Sequence, residues 1–163
     1  MNTQPFKSIG FWILSEEDRI SQLKYNPESE EYPDPKYYVD KEWLTEERHL
    51  LISYLKKGLV ICGYWGHSWC RFKCGAEGEE MGSKLLTDDI WAWPEGLVHY
   101  VEHHNVVLPN EFIEYCRSND WQIPNDFNLY ESTNNGGFNP NIDRSHDNEF
   151  WLEWSKRFKI HNK

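Results

Sequence analysis

Residues 63–109 read GYWGHSWCRFKCGAEGEEMGSKLLTDDIWAWPEGLVHYVEHHNVVLP, and they set the pattern for the rest of the chain. They hold two of the four cysteines, four of the seven histidines and four of the nine tryptophans. Residues 68–74, 84–87 and 90–93 read as short strands. They are joined by a tip rich in Gly and Glu and by a turn at Asp88 and Asp89. Trp91 and Trp93 alternate with Ala92, so a strand places both rings on one face; that face is a core, the usual place for large aromatics, with a groove as the alternative. Pro94 suits the first turn of a helix, where its missing N–H costs nothing, and a helix is expected over 94–104. Pro109 opens another, through Phe112, Ile113 and Tyr115 to about Arg117.

Working outward, residues 59–64 (LVICGY) read as a buried strand and residues 40–57 as the clearest helix. Asp40 is its expected N-cap, and Gly58 its expected left-handed C-terminal stop. Residues 9–14 (IGFWIL) read as a strand, with a helical start as the rival. Ser15 and Asp18 then cap a short helix over 16–23. Residues 25–40 and 119–143 read as loops, the second with a flexible Asn134–Asn135–Gly136–Gly137 turn. A last helix begins after Asp147 or Asn148. Its Phe150, Trp151, Trp154 and Phe158 fall at helical spacing and should dock it on the body. The whole, residues 1–163, is expected to be one α+β domain: a small antiparallel sheet with four or five helices packed around it.

The chain carries 27 acidic and 17 basic side chains, a formal charge of −10. Such a balance repels phosphate backbones and anionic lipid, so nucleic acid and membranes are not expected partners, whereas a basic protein is. No apolar run approaches the ~20 residues of a spanning helix. The N-terminus lacks a basic stretch followed by a long apolar one. A cytoplasmic location follows as the expectation, and there Cys62, Cys70, Cys74 and Cys116 are thiols or metal ligands rather than disulfides. Phosphate-binding glycine loops and the nucleophile-elbow pattern are absent. Nothing in the pattern fixes an oligomeric state.

Cys70 and Cys74 with His99 and His103 form the candidate metal set. A C-x3-C pair followed by an H-x3-H pair supplies the four ligands of a tetrahedral zinc site. Histidines four apart leave one face of a helix. The condition is geometric: in a regular strand, positions four apart lie roughly 13 Å apart, so the chain must turn between the cysteines. The competing reading makes the cysteines small core residues and Glu95, His99 and His103 a solvated helix stripe. Two reactive readings are weaker. Glu95, His99 and His103, with His67, Asp88 and Asp89, lack the H-E-x-x-H order of a catalytic zinc helix. A nucleophilic Cys70 or Cys74, activated by Arg71 and Lys73, lacks any local signature.

Cys70-Arg71, Cys74-Gly75, Thr87-Asp88, then Trp91 to Glu102, then Val107-Leu108-Pro109, resemble a group of small, mostly uncharacterised bacterial proteins. Their shared pattern is C-R…C-G…T-D-G-x-W-x-W-P-E-G-L-x-H-Y-V-x-x-H-x-V-x-L-P-x-E-F, and the likeness spans residues 70–112. Asp89 stands where the pattern has glycine, the residue best suited to a left-handed turn. His103 and His104 remain alternatives for the pattern's second histidine. The resemblance implies a shared fold and a bacterial origin, not a reaction. The expected function is a non-enzymatic protein-binding module, such as an immunity-type neutraliser of a basic toxin. The alternative is a zinc-containing protein, structural rather than catalytic.

Overall fold

The structure, a computed structural model, describes residues 4–43, 45–124 and 144–161. Five strands among them form one sheet: β1 (Phe6–Ser8), β2 (Leu59–Gly63), β3 (Lys84–Thr87), β4 (Trp91–Pro94) and β5 (His146–Asp147). Their order is β2-β3-β4-β1-β5. Six α-helices among the described residues surround the sheet: α1 (Glu16–Tyr25), α2 (Glu46–Lys56), α3 (Gly78–Met81), α4 (Leu97–His104), α5 (Asn110–Ser118) and α6 (Glu149–His161). The α+β architecture is therefore as expected. The sheet is mixed: β2–β3 and β3–β4 are antiparallel, while β1 pairs parallel with both β4 and β5. The additional helix is α3, a single turn in the glycine-rich tip.

Alternation along β4 sorts the two faces of the sheet. Trp91 and Trp93 join Leu86 in the main core with Leu51, Tyr54, Leu55 and Phe112. Ala92 faces the other way, into a small cluster with Phe6, Ile61 and Leu85. Trp93 is fully buried, and its indole N–H donates to the Leu55 carbonyl at 3.3 Å. Gly58, expected as a left-handed stop, does not have a positive φ. Its role is close approach, since a Cβ there would lie 2.6 Å from the Trp93 ring.

Several boundaries differ from the expectations, each for a local reason. Asp40 caps a turn, accepting from the Glu42 N–H at 2.9 Å, and α2 begins only at Glu46. The strand near the N-terminus is β1, ahead of residues 9–14. That segment leaves the sheet after the Ile9 N–H donates to Ala92, and Trp12 turns into the core. Pro94 ends β4 opposite Leu85 rather than starting α4, because a strand end tolerates the missing donor. Ser15 caps α1 as expected, its Oγ accepting from the Asp18 N–H. Asp147 does the same for α6, accepting from Glu149 at 2.8 Å. The aromatic stripe of α6 docks: Trp151 and Trp154 are buried, and Trp12 meets Trp151 edge-on at 5.0 Å. The Asn134–Gly137 turn lies outside the described residues.

The β3–β4 turn is held by side chains. Asp88 Oδ1 accepts from the Ile90 and Trp91 N–H groups at 3.0 and 2.7 Å, and the Tyr54 hydroxyl donates to Oδ2 at 2.7 Å. Asp89 occupies the left-handed position at φ 83°, and the Arg144 guanidinium pairs with its carboxylate. Asp88 is fully buried, and burial pushes its carboxyl up to about 6. A carboxyl raised in the folded state contributes stability below its unfolded value near 3.8, lost as pH rises through 6. We therefore expect wild type to lose about 3 kcal/mol between pH 4 and 7 that Asp88→Asn keeps. Urea unfolding at both values checks this: the variant should gain on wild type as pH rises, and a constant difference would contradict it.

No helix among the described residues is long and apolar enough to cross a membrane.

Candidate metal centre

The condition set by the cysteine spacing is met. Residues 68–74 do not form a strand. The Lys73 N–H donates to the Cys70 carbonyl at 2.9 Å, closing a turn, and Lys73 and Gly75 both take positive φ. This reversal brings the two thiols together over α4.

Four ligand atoms converge there, those of Cys70, Cys74, His99 and His104, all within 4.8 Å of one another. Cys70 Sγ lies 3.3 Å from His104 Nε2, and Cys74 Sγ lies 3.4 Å from His99 Nε2. The two Nε2 atoms are 3.3 Å apart. A tetrahedron built on Zn–S ≈ 2.3 Å and Zn–N ≈ 2.0 Å has edges of roughly 3.3–3.8 Å, so these separations fit one ion at the centre.

His104 replaces His103 in the expected set. The cysteine loop lies along the Tyr100–His104 edge of α4, two residues one turn apart. The Tyr100 hydroxyl accepts from the Arg71 N–H at 3.1 Å and donates to the Trp69 carbonyl at 3.3 Å, gripping the backbone on both sides of Cys70. Phe72 stacks on the His104 ring at 4.1 Å and 5°. His103 stays on the His99 face of α4, its ring 4.9 Å from that of His99, but its side chain is 55% exposed beside Glu102 and it is not one of the four converging donors. Asn105, in the left-handed conformation, ends α4 directly after His104. Spacing from His99 alone pointed to His103; the signal for His104 was its pairing with Tyr100.

His99 is buried, so it is not part of a solvated stripe. Its Nδ1 faces the Glu80 carboxylate at 3.8 Å. Glu80 comes close because Gly96 lets α3 press on the start of α4: a Cβ there would meet the Met81 carbonyl at 2.6 Å. Glu80, His99 and His103 form a second, more exposed group of donors. Because His99 offers Nε2 to the thiols and Nδ1 to Glu80, the carboxylate stands where an outer partner orients a metal-binding imidazole. Burial lowers the pKa of both His99 and His104, and neighbouring histidine charge adds to it. Both rings are thereby biased to the neutral form that binds a cation.

The reactive readings lose their geometry. Glu95 does not join the histidines: its Oε2 accepts from the Ser83 and Lys84 N–H groups at 2.9 and 3.1 Å. Asp88 and Asp89 are committed to the β3–β4 turn. Arg71 turns its guanidinium to the Ile13 carbonyl at 2.9 Å, to Ser68 and to the Trp69 carbonyl. Burial pushes the Cys70 thiol up, the reverse of what a nucleophile needs. Cys116 is buried in the core and Cys62 half-buried in β2, and neither is among the converging donors. Comparison with family models, with curated proteins and with solved structures found no match.

Proposed function

We propose that this is a non-catalytic zinc protein, in which Cys70, Cys74, His99 and His104 hold one ion that staples the 68–76 loop to α4. The observation that carries the reading is three separations of 3.3–3.4 Å within a set of two thiols and two imidazoles whose ligand atoms all lie within 4.8 Å of one another. Four protein ligands complete a tetrahedron and leave no open position for water or substrate, which is the mark of a structural rather than a catalytic site. Cobalt(II) tests it. Protein reconstituted with cobalt should show the visible bands of a tetrahedral ion together with thiolate-to-metal charge transfer. Weak octahedral bands alone would refute the assignment.

A second reading, a protein-binding module for a basic partner, is favoured by α1. None of its residues is buried, and Ile20 and Tyr25 are 63% and 83% exposed. Residues 16–34 carry seven acidic and two basic side chains, a net of −5, half of the whole chain's charge. An immunity-type neutraliser of a cationic toxin is one such role. Reversal of Glu16, Glu17 and Asp18 to lysine should abolish capture of a basic partner. Retained capture would remove α1 from the reading.

A further inference from the structure

Beside the loop but apart from the four donors lies a cleft of about 460 Å³, within the range of small-molecule sites. Phe11, Trp12, Leu14, Leu97 and Tyr100 give it apolar walls. Tyr64 and Trp65 stand at it 58% and 105% exposed, rings with apolar area still to cover.

The charge of this cleft runs against that of the molecule. In a chain of net charge −10, the cleft is lined by Arg71, Lys84 and His67 against a single acid, Glu95. That acid is already engaged by the Ser83 and Lys84 backbone N–H groups. Arg71 is fixed through Nε and Nη1, and its Nη2 has no hydrogen-bond partner among the described residues. Nor does the Lys84 ammonium, which stands exposed. A fixed guanidinium and an uncommitted ammonium beside an apolar wall select an amphipathic anion: the rings take the body of the ligand, and the two cations take its charge.

We infer that this cleft binds a small aromatic carboxylate, its rings against Tyr64 and Trp65 and its carboxylate on Arg71 and Lys84. The inference goes beyond the metal reading and does not depend on it, because the cleft shares no ligand atom with the four donors.

2-Naphthoate is a suitable probe, titrated calorimetrically into the full chain as purified, with neutral 2-naphthylmethanol as the comparison. Saturable binding with Kd on the order of 100 μM is expected, at least tenfold tighter than the alcohol. Lys84→Gln, whose ammonium makes no contact to lose, should weaken naphthoate about threefold to tenfold and leave the alcohol unchanged. Trp65→Ala should weaken both. No saturation by ~1 mM, or equal binding of acid and alcohol, overturns the proposal. So does an unchanged naphthoate affinity in both variants when their melting temperatures match wild type. A metal content of zero with naphthoate bound would sink the zinc reading alone.

Discussion

On the zinc reading, Cys70→Ser should cost the protein its ion and much of its stability. An ion bound at about 1,000 times its dissociation constant stabilises the folded state by about 4 kcal/mol, and removing a buried thiolate ligand forfeits that. The effect reaches beyond the loop. Cys70 is 5% exposed, and its neighbours Trp69 and Arg71 hold Tyr100 of α4, so the stapled segment is continuous with the core. Thermal melts of wild type with and without a strong chelator, set beside the variant, test this. Chelated wild type should melt near Cys70→Ser, and the variant should ignore the chelator. Two histidine variants sharpen the result. His104→Ala should behave like Cys70→Ser, and His103→Ala should keep its chelator sensitivity, because only the first ring reaches the thiols. The opposite order would restore the set read from spacing alone.

Trp93→Ala has the second large expected effect. Its ring is fully buried, faces Tyr54 and Phe112 with centroids 6.1 and 5.7 Å away, and donates to Leu55. Truncation leaves a cavity between the sheet and α2 that the backbone at Gly58 cannot fill by a small shift. A loss of about 3–5 kcal/mol is expected, against a total stability on the order of 5–15 kcal/mol. Trp69→Ala, removing a ring 40% exposed, should cost well under half as much. Urea titration of the three proteins decides; equal midpoints would mean that the strand alternation does not set the core.

Alternation along β4 was legible, because period-2 patterning acts within one strand and needs no partner to be known. The α6 stripe and the Ser15 cap were legible for the same reason. The parallel pairing of β1 was not: Phe6 to Ser8 is three residues long, and its place depends on Ile61, Leu85 and Ala92 arriving from elsewhere. Helix starts shifted where a residue suited two roles. Pro94 fits a first helical turn and also a strand end, and the backbone bond from Glu95 to the Lys84 carbonyl chose the latter.

At the candidate metal centre the residue types were readable and the partner set was not. A C-x3-C pair with histidines at helical spacing named Cys70, Cys74 and His99. The fourth donor depended on which edge of α4 the loop covers, and that is set by the Tyr100 hydroxyl on either side of Cys70 and by Phe72 on His104. Glu80 was out of reach of spacing rules, since it approaches His99 only through the contact that Gly96 permits. Positive φ at Lys73, a residue with no strong preference for it, supplies the turn between the cysteines that nothing in the local sequence demanded.

A closed Cys2His2 ion that staples the loop to α4 should be visible in elemental analysis of untagged protein purified without added metal. One equivalent of zinc per chain is expected, lost in Cys74→Ser and His104→Ala and kept in His103→Ala. Zinc-free wild type with four titratable thiols in the unfolded state would contradict it.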